Sequence, residues 1–338
     1  MTDSPQQRTA TSSKPPLLSV VIPAYNVERY VKECIDSVLY QSDDHSVDII
    51  FVIDGATDKT KEVAERALQG TQAKIIYQPN LGLSAARNRG LSEVTTEYVC
   101  FLDSDDYWLD GFLETTLSVI QDFTPDIVEF DAMVVDEEGN PTSTLKISAS
   151  ETGVTRTISH DEFLHNFRCY AWARVTRTSI ARCRGFPYGR RFEDAGTIPW
   201  HYRIAHKMVG IGNPLIAYRQ RHGSIISSPS EQDVLDLAFT TAEAAREYSN
   251  SRSAYWAIVA NRIHQIACRR TLLTPPTAWP RCIIEITKSI EGVPPSPGCL
   301  RWLQIKLPFV YIALLSIKRG LQRPVSTAAP KLFGRALK

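Results

Sequence analysis

The sequence predicts an α/β fold built on a mainly parallel sheet. Apolar runs of strand length alternate with stretches of helical spacing from Leu17 onward. Those runs end in polar residues, where open α/β sheets bind ligands. The fourth run ends in "FLDSDD" (101–106), which puts three carboxylates within four positions. Like charges this close resist desolvation and call for a cation, a set of donors or water.

"LLSVVI" (17–22) reads as a buried strand, and Val27, Tyr30, Val31, Cys34, Ile35, Val38 and Leu39 then recur at helical spacing. "VDIIFVID" (47–54) is a second strand, followed by the helix "TDKTKEVAERAL" (57–68) with Thr57 or Asp58 as N-cap. "KIIYQ" (74–78) is a third strand, after which Ser84 is expected to cap a short helix through "AARNRGL". "EYVCFLD" (97–103) and "DIVEFDAMVVD" (126–136) are further strands, the latter closed by the turn residues of "DEEGNPT". A less regular region is expected from there to about residue 225. Two helical stretches, from Glu231 and from Ser253, end before Pro275 and Pro276.

The chain of 338 residues is long enough for one large domain with an appendage. The polar segment 1–16 reads as a disordered tail without the apolar core of a secretory signal. The main domain spans 17–228, and a helical, basic C-terminal region spans 229–338. Acidic and basic residues balance at 37 against 38, which argues against a basic nucleic-acid binder. Seven scattered cysteines lack zinc-like spacing and suggest reduced thiols in a cytoplasmic protein. After Glu291 no acidic residue occurs, and basic residues flank the apolar run 307–317. That run is shorter than the roughly 20 residues a bilayer requires. Two expectations follow: a segment peripheral on the inner face of the cell membrane, or a basic helix packed on the main domain.

Asp103, Asp105 and Asp106 supply hard oxygen donors that suit Mg²⁺ or Mn²⁺, whose shell substrate phosphates and water complete. The alternative is an acidic turn in which Asp106 or Asp110 lies at the start of the next helix.

Four segments in order, "VVIPAYNVERYVKECIDSVLYQ", "VIDGATDKT", "NLGLSAARNRG" and "FLDSDD", resemble the family 2 glycosyltransferases. The resemblance covers about residues 17–115 strongly. It implies a GT-A fold with a helical C-terminal extension and a nucleotide diphosphate sugar donor, UDP-linked by expectation. It further implies that Pro23 and Tyr25 flank the base, that Asp54 accepts a hydrogen bond from it, and that Asn80 and Arg87 reach base and phosphates. Asp103 then lies near ribose and metal, Asp105 is the direct metal ligand and Asp106 supports them. Relatives usually carry paired aspartates where this chain has Ile53-Asp54.

In "RRFEDAGTIPWHYRIAH", Glu193-Asp194 resembles the acidic pair that supplies the base of inverting members, with Asp194 as base and Glu193 as its neighbour. Pro199 follows where relatives continue a regular helix, and it is expected to delay the helix start toward Thr197. "LIAYRQRHGSIISS" (215–228) resembles the basic segment that closes the donor site. By that resemblance Arg219, Arg221 and His222 meet the leaving diphosphate, and His222 is a further metal ligand. Trp172 in "YAWARV" is either a sugar-facing platform or a buried aromatic. The acceptor implied is a hydroxyl of a cell-surface glycan, a polysaccharide or a lipid-linked molecule, with no nucleic-acid partner. Loss of the paired aspartate leaves a second reading, a nucleotide-sugar-binding scaffold without turnover. A nicotinamide-dependent oxidoreductase is disfavoured, since no G-x-G-x-x-G follows the first strand.

Overall fold

The structure is a computed structural model that describes residues 16–42, 47–221 and 228–295. His222 and the apolar run 307–317 lie outside them. The expected strands form: β1 (Leu18–Ala24), β2 (Val47–Asp54), β3 (Lys74–Gln78), β4 (Tyr98–Phe101) and β6 (Ile127–Val135). Between them run α1 (Val31–Gln41), α2 (Thr60–Ala67), α3 (Leu83–Glu93), the short β5 (Tyr107–Trp108) and α4 (Phe112–Phe123). The region expected to be irregular contributes much of the sheet. It holds β7 (Pro141–Leu145), β8 (Thr155–Ile158), β9 (Arg174–Arg177) and β10 (Met208–Arg219), with α5 (His160–Asn166), α6 (Thr178–Cys183) and α7 (Ile198–Ile204).

The ten strands form one sheet in the order β3-β2-β1-β4-β9-β6-β10-β5, with β7 on β6 and β8 on β10. β3, β2, β1 and β4 run parallel, so their carboxyl ends share one edge. β9 lies antiparallel between β4 and β6. β10 escapes pattern reading because "MVGIGNPLIAYR" carries two glycines, Asn213 and Pro214, residues depleted in strands. They have local uses: the register against β6 shifts at Pro214, and a Cβ on Gly212 would sit 1.6 Å from the Glu151 carbonyl oxygen.

Strand alternation divides the core between the two faces of the sheet. Val21, Ile50, Val52, Val99 and Phe101 point to one face, packed with α3 and α5 to α7. The same cluster includes the C-terminal helices α8 (Glu231–Ser251), α9 (Ala254–Thr271) and α10 (Trp279–Ser289). Leu18, Val20, Ile22, Ile49, Phe51 and Ile53 point to the other face, against α1, α2 and α4. Among the described residues no helix is long and apolar enough to cross a membrane, and the six described cysteines are unpaired.

Three helix starts differ in detail from the sequence reading. α2 begins at Thr60, and Asp58 Oδ1 accepts the Thr60 N–H at 2.9 Å from just outside it. α3 begins after Gly82 (φ 87°), so Ser84 is a helical residue with a buried, unpartnered hydroxyl rather than the cap. α4 follows Gly111, also at positive φ, and neither Asp106 nor Asp110 caps it. Pro199 behaves as expected: it is the second residue of α7, whose N-cap is Thr197.

α3 packs so closely on the sheet that a Cβ at Gly90 would lie 2.3 Å from Val21 Cγ1. Gly90→Ala is expected to lower stability by about 1–3 kcal/mol through overpacking. A reduced urea midpoint would show this, and an unchanged midpoint would mean that α3 packs less tightly than described.

Candidate active site

The tips of β1 and β2 are tied to each other before any ligand arrives. Asn26, in the left-handed region at φ 51°, accepts the Thr57 N–H at 2.8 Å, and the Val27 N–H reaches Thr60 Oγ1 at 2.7 Å. Pro23 is buried while the Tyr25 ring stands 45% exposed above it. Asp54 is buried and accepts from Gln78 Nε2 (2.7 Å) and from the Leu81 and Gly82 N–H groups (2.8 and 2.9 Å). It therefore holds the loop that carries exposed Asn80. Gly55 (φ 66°) allows that loop to close, because a Cβ there would meet the Asn80 nitrogen at 2.4 Å. Ile53, in the place of the usual first aspartate, is a buried core residue.

The acidic turn after β4 is held from both sides. Arg87, on the buried side of α3, is 1% exposed, with its terminal nitrogens on Asp103 Oδ1 (2.7 Å), Glu193 Oε1 (2.7 Å) and Asp194 Oδ1 (3.0 Å). The sequence reading expected Arg87 to reach base and phosphates; in the structure its guanidinium is buried and joins the acidic turn to the Glu193-Asp194 pair. On the other side the Arg219 N–H donates to Asp106 Oδ1 at 2.7 Å. The Arg219 side chain, expected at the diphosphate, is buried. It donates to the carbonyls of Asp105 and Glu137 and to Glu33 Oε2. Arg221 donates to Asp105 Oδ2 at 2.6 Å and is 27% exposed, which leaves it the more accessible cation of the two.

Burial dominates the protonation of the carboxyls. It raises Asp106 well above the ordinary range, with Asp105 and Asp103 adding, and the Asp106 Oδ2 atom has no partner. Asp105 is raised by burial and by Asp103, against the opposing pull of Arg221. Asp194 is pushed up to about 7 by burial, which outweighs Arg87, while Glu193 adds to the rise. Asp194 Oδ2 also accepts the Ala171 N–H at 3.0 Å. A carboxyl poised near neutral pH, with both oxygens oriented, is suited to take a proton.

Trp172 is 4% exposed and so belongs to the core. It stacks on Tyr218 at 5.0 Å and packs on Tyr170 at 4.9 Å. Burial and the acidic turn raise the Tyr218 hydroxyl, whereas burial, with Asp194 among the additional causes, raises that of Tyr170 to about 12. These two phenols, with Glu33 and Ala171, complete the neighbourhood and were absent from the sequence reading. For Tyr218 the signal was its place one residue before Arg219.

A sequence model of glycosyl transferase family 2 matches residues 19–185. Glycosyltransferase GlyG of Streptococcus pneumoniae is 30% identical over 220 residues, which is 62% of this chain and 73% of GlyG. The chain belongs to glycosyl transferase family 2. It is therefore a glycosyltransferase with a GT-A domain, and its relatives include GlyA of the same species at 28% identity, of whose length only 31% is covered. Among solved structures, S. aureus TarS 1–349 in complex with UDP-GlcNAc superposes with a TM-score of 0.60 at 19% identity, covering 81% of this chain and 88% of that one. Mannosyltransferase PcManGT from Pyrobaculum calidifontis, in complex with GDP-Man and Mn²⁺, gives 0.53 at 16% identity, covering 91% and 81%. These likenesses establish the GT-A fold of this family 2 enzyme.

Asp194 makes a testable thermodynamic signature. Folded, it keeps its proton up to about pH 7; unfolded, it loses it near the ordinary 3.8. The folded state thus holds an extra proton between these values, and this group's contribution to stability falls as pH rises through that window. Asp194→Asn removes the slope. In urea titrations at stepped pH, the difference between variant and native is expected to move in the variant's favour from about pH 4 to 7, then level off. A difference independent of pH would show that Asp194 titrates normally.

Proposed function

We propose that this glycosyltransferase is an inverting, metal-dependent enzyme that takes a sugar from a UDP-linked donor. It passes that sugar to a hydroxyl of a cell-surface glycan, a polysaccharide or a lipid-linked acceptor. The observation that carries the reading is the buried guanidinium of Arg87, which binds both Asp194 and Asp103 at the edge of one sheet. Base and donor-side carboxylates are thereby kept in fixed relation.

Asp194 removes the acceptor hydroxyl proton as that oxygen attacks the anomeric carbon from the face opposite the diphosphate. The bond to the diphosphate breaks, and a nucleoside diphosphate leaves through an oxocarbenium-like transition state. Arg221 faces the leaving group, whose growing charge needs a nearby cation. Pro23 and Tyr25 wall the base, while Asp54 and Asn80 shape the loop beside it.

Among the described residues no cluster of three or more metal-ligating side chains forms. The donor set still fits Mg²⁺ or Mn²⁺, because one or two carboxylates suffice when substrate phosphates complete the shell. Asp105 and Asp103 would hold the ion, each having one carboxylate oxygen outside the Arg221 and Arg87 contacts. His222 is a further proposed ligand. When bound, the ion supplies Lewis-acid neutralisation of the diphosphate. The Mn²⁺ and nucleotide sugars in the structural relatives support the metal and donor classes.

Nucleoside diphosphate release from a panel of nucleotide sugars with Mn²⁺ or Mg²⁺ tests the proposal. One UDP-sugar is expected to turn over, and Asp105→Asn to lose the response to metal. Asp194→Asn is expected to bind donor normally and to slow turnover about 10²–10⁴-fold, and the native rate to rise with pH through about 7. Full turnover by Asp105→Asn at saturating metal would reject the ligand assignment, and tight donor binding with no release from any donor would reject catalysis.

The basic segment after residue 296 is proposed to hold the enzyme at the inner face of the membrane. Truncation there is expected to abolish flotation with anionic vesicles, whereas equal flotation would rule the anchor out.

A further inference from the structure

The segment that carries Glu193 and Asp194 has little regular structure of its own. It runs through a short 3-10 turn, Glu193–Gly196, and is preceded by Phe192 at φ 57°, a strained left-handed conformation for an aromatic residue. Such strain persists only where the surroundings impose it. The surroundings that do so belong to the C-terminal helices α8 and α9.

Asp236 on α8 is 1% exposed, and its carboxylate is committed to that segment. Oδ1 accepts from Arg190 at 2.8 Å and from Gln232 at 2.8 Å, while Oδ2 accepts the Arg191 N–H at 3.0 Å, immediately before Phe192. Asp233, one turn earlier and fully buried, pairs with Arg191 at 2.9 Å and with Arg270 of α9 at 2.6 Å. The Arg270 guanidinium in turn lies 5.3 Å from the Phe192 ring centre. Further along, Arg184 binds the Gly196 carbonyl and Glu243 of α8, and the Tyr255 hydroxyl of α9 donates to the Pro199 carbonyl. Contacts from α8 or α9 thus hold the segment at Arg184, Arg190, Arg191, Phe192 and Pro199. Carboxylates contribute the charged contacts, at a location remote in sequence from the donor-binding loops.

We propose that Asp236 is a positioning residue for the base: it clamps the Arg190 side chain and the Arg191 backbone N–H, fixes Phe192 in its strained conformation and so aims Asp194 at the acceptor hydroxyl. The inference rests on the reading of Asp194 as base. It assigns α8 a part in turnover through the segment that α8 holds.

Hydrogen exchange and steady-state kinetics on the full chain decide it together. In Asp236→Asn, amides in 186–199 are expected to exchange at least about tenfold faster, because a local contact is lost, while those around Asp54 and Asp103 keep their native rates. Turnover of the active donor is expected to fall by up to about 10²-fold through misplacement of the base, with the donor KM within about twofold. Asp236→Glu, which keeps the charge, is expected to recover most of the loss. Where Asp236→Asn does not fold, Arg190→Ala removes the Arg190 half of the contact from its exposed end and leaves the Arg191 N–H bond, with smaller changes expected in the same direction. Unchanged exchange in 186–199, a rise spread over the whole chain, or an Asp236→Glu variant as impaired as Asp236→Asn would each overturn the clamp. Asp194→Asn, assayed alongside, separates the two readings: retained turnover there defeats the base assignment, while the exchange data still decide whether Asp236 holds the segment.

Discussion

One buried guanidinium organises this molecule's chemistry. Arg87 is 1% exposed and binds carboxylates drawn from both halves of the domain, the farthest 107 positions along the chain. A guanidinium so deeply placed is tolerable only with partners, since an uncompensated buried charge costs about 3–5 kcal/mol. The dependence is mutual, because Glu193 and Asp194 repel each other and Asp103 faces two further aspartates. Folding of the sheet therefore brings the two acidic groups together and supplies the cation that makes their proximity possible. α3 is the carrier, and its close seating at Gly90 on Val21 sets how deep Arg87 can sit.

The donor half was legible in the sequence because its signals are local. β1 to β4 are apolar runs with polar residues at their ends, and each motif lies within one strand-loop unit. The other half was legible only as a list of residues. Glu193 and Asp194 could be picked out, but nothing near them in the chain indicates that Arg87 is their partner. β10 was hidden by Gly210, Gly212 and Pro214, which read as breakers and instead accommodate Glu151 and a shift of register. Arg219 looked like a free cation in a basic run. That β10 ends on it, turning its backbone to Asp106 and its side chain to Glu33, depends on pairing with β6. Helix caps failed for a simpler reason: at α3 and α4 a glycine at positive φ takes the place expected of Ser84 and Asp110.

The C-terminal helices illustrate the limit of reading domains from texture. The change in pattern near Ser228 is real, and Ser230 forms a capping box with Asp233 at the start of α8. Yet that same Asp233 also pairs with Arg191 and Arg270, so one carboxylate both starts a helix and anchors the segment before Asp194. The apolar residues of α8 and α9 share a cluster with Val21 and Val99 of the sheet. The change of composition near residue 228 therefore does not separate the apolar core of these helices from that of the sheet.

Charge balance explains why an enzyme of this design is proposed to need a metal. At the edge of the sheet five carboxyl groups, Asp103, Asp105, Asp106, Glu193 and Asp194, meet three guanidiniums, and two of those, Arg87 and Arg219, are buried and committed. Burial answers part of the excess by raising Asp106 and Asp194 toward their neutral forms. In the proposed mechanism a nucleotide diphosphate would add further negative charge to the same space, and Arg221, already paired with Asp105, could not offset it alone. A divalent ion, which Asp105 and Asp103 would hold in the proposed mechanism, would supply positive charge to both sides of that balance. The rise of Asp194 to about 7 belongs to the same balance: burial outweighs Arg87 there, as the proposed role of Asp194 as base requires.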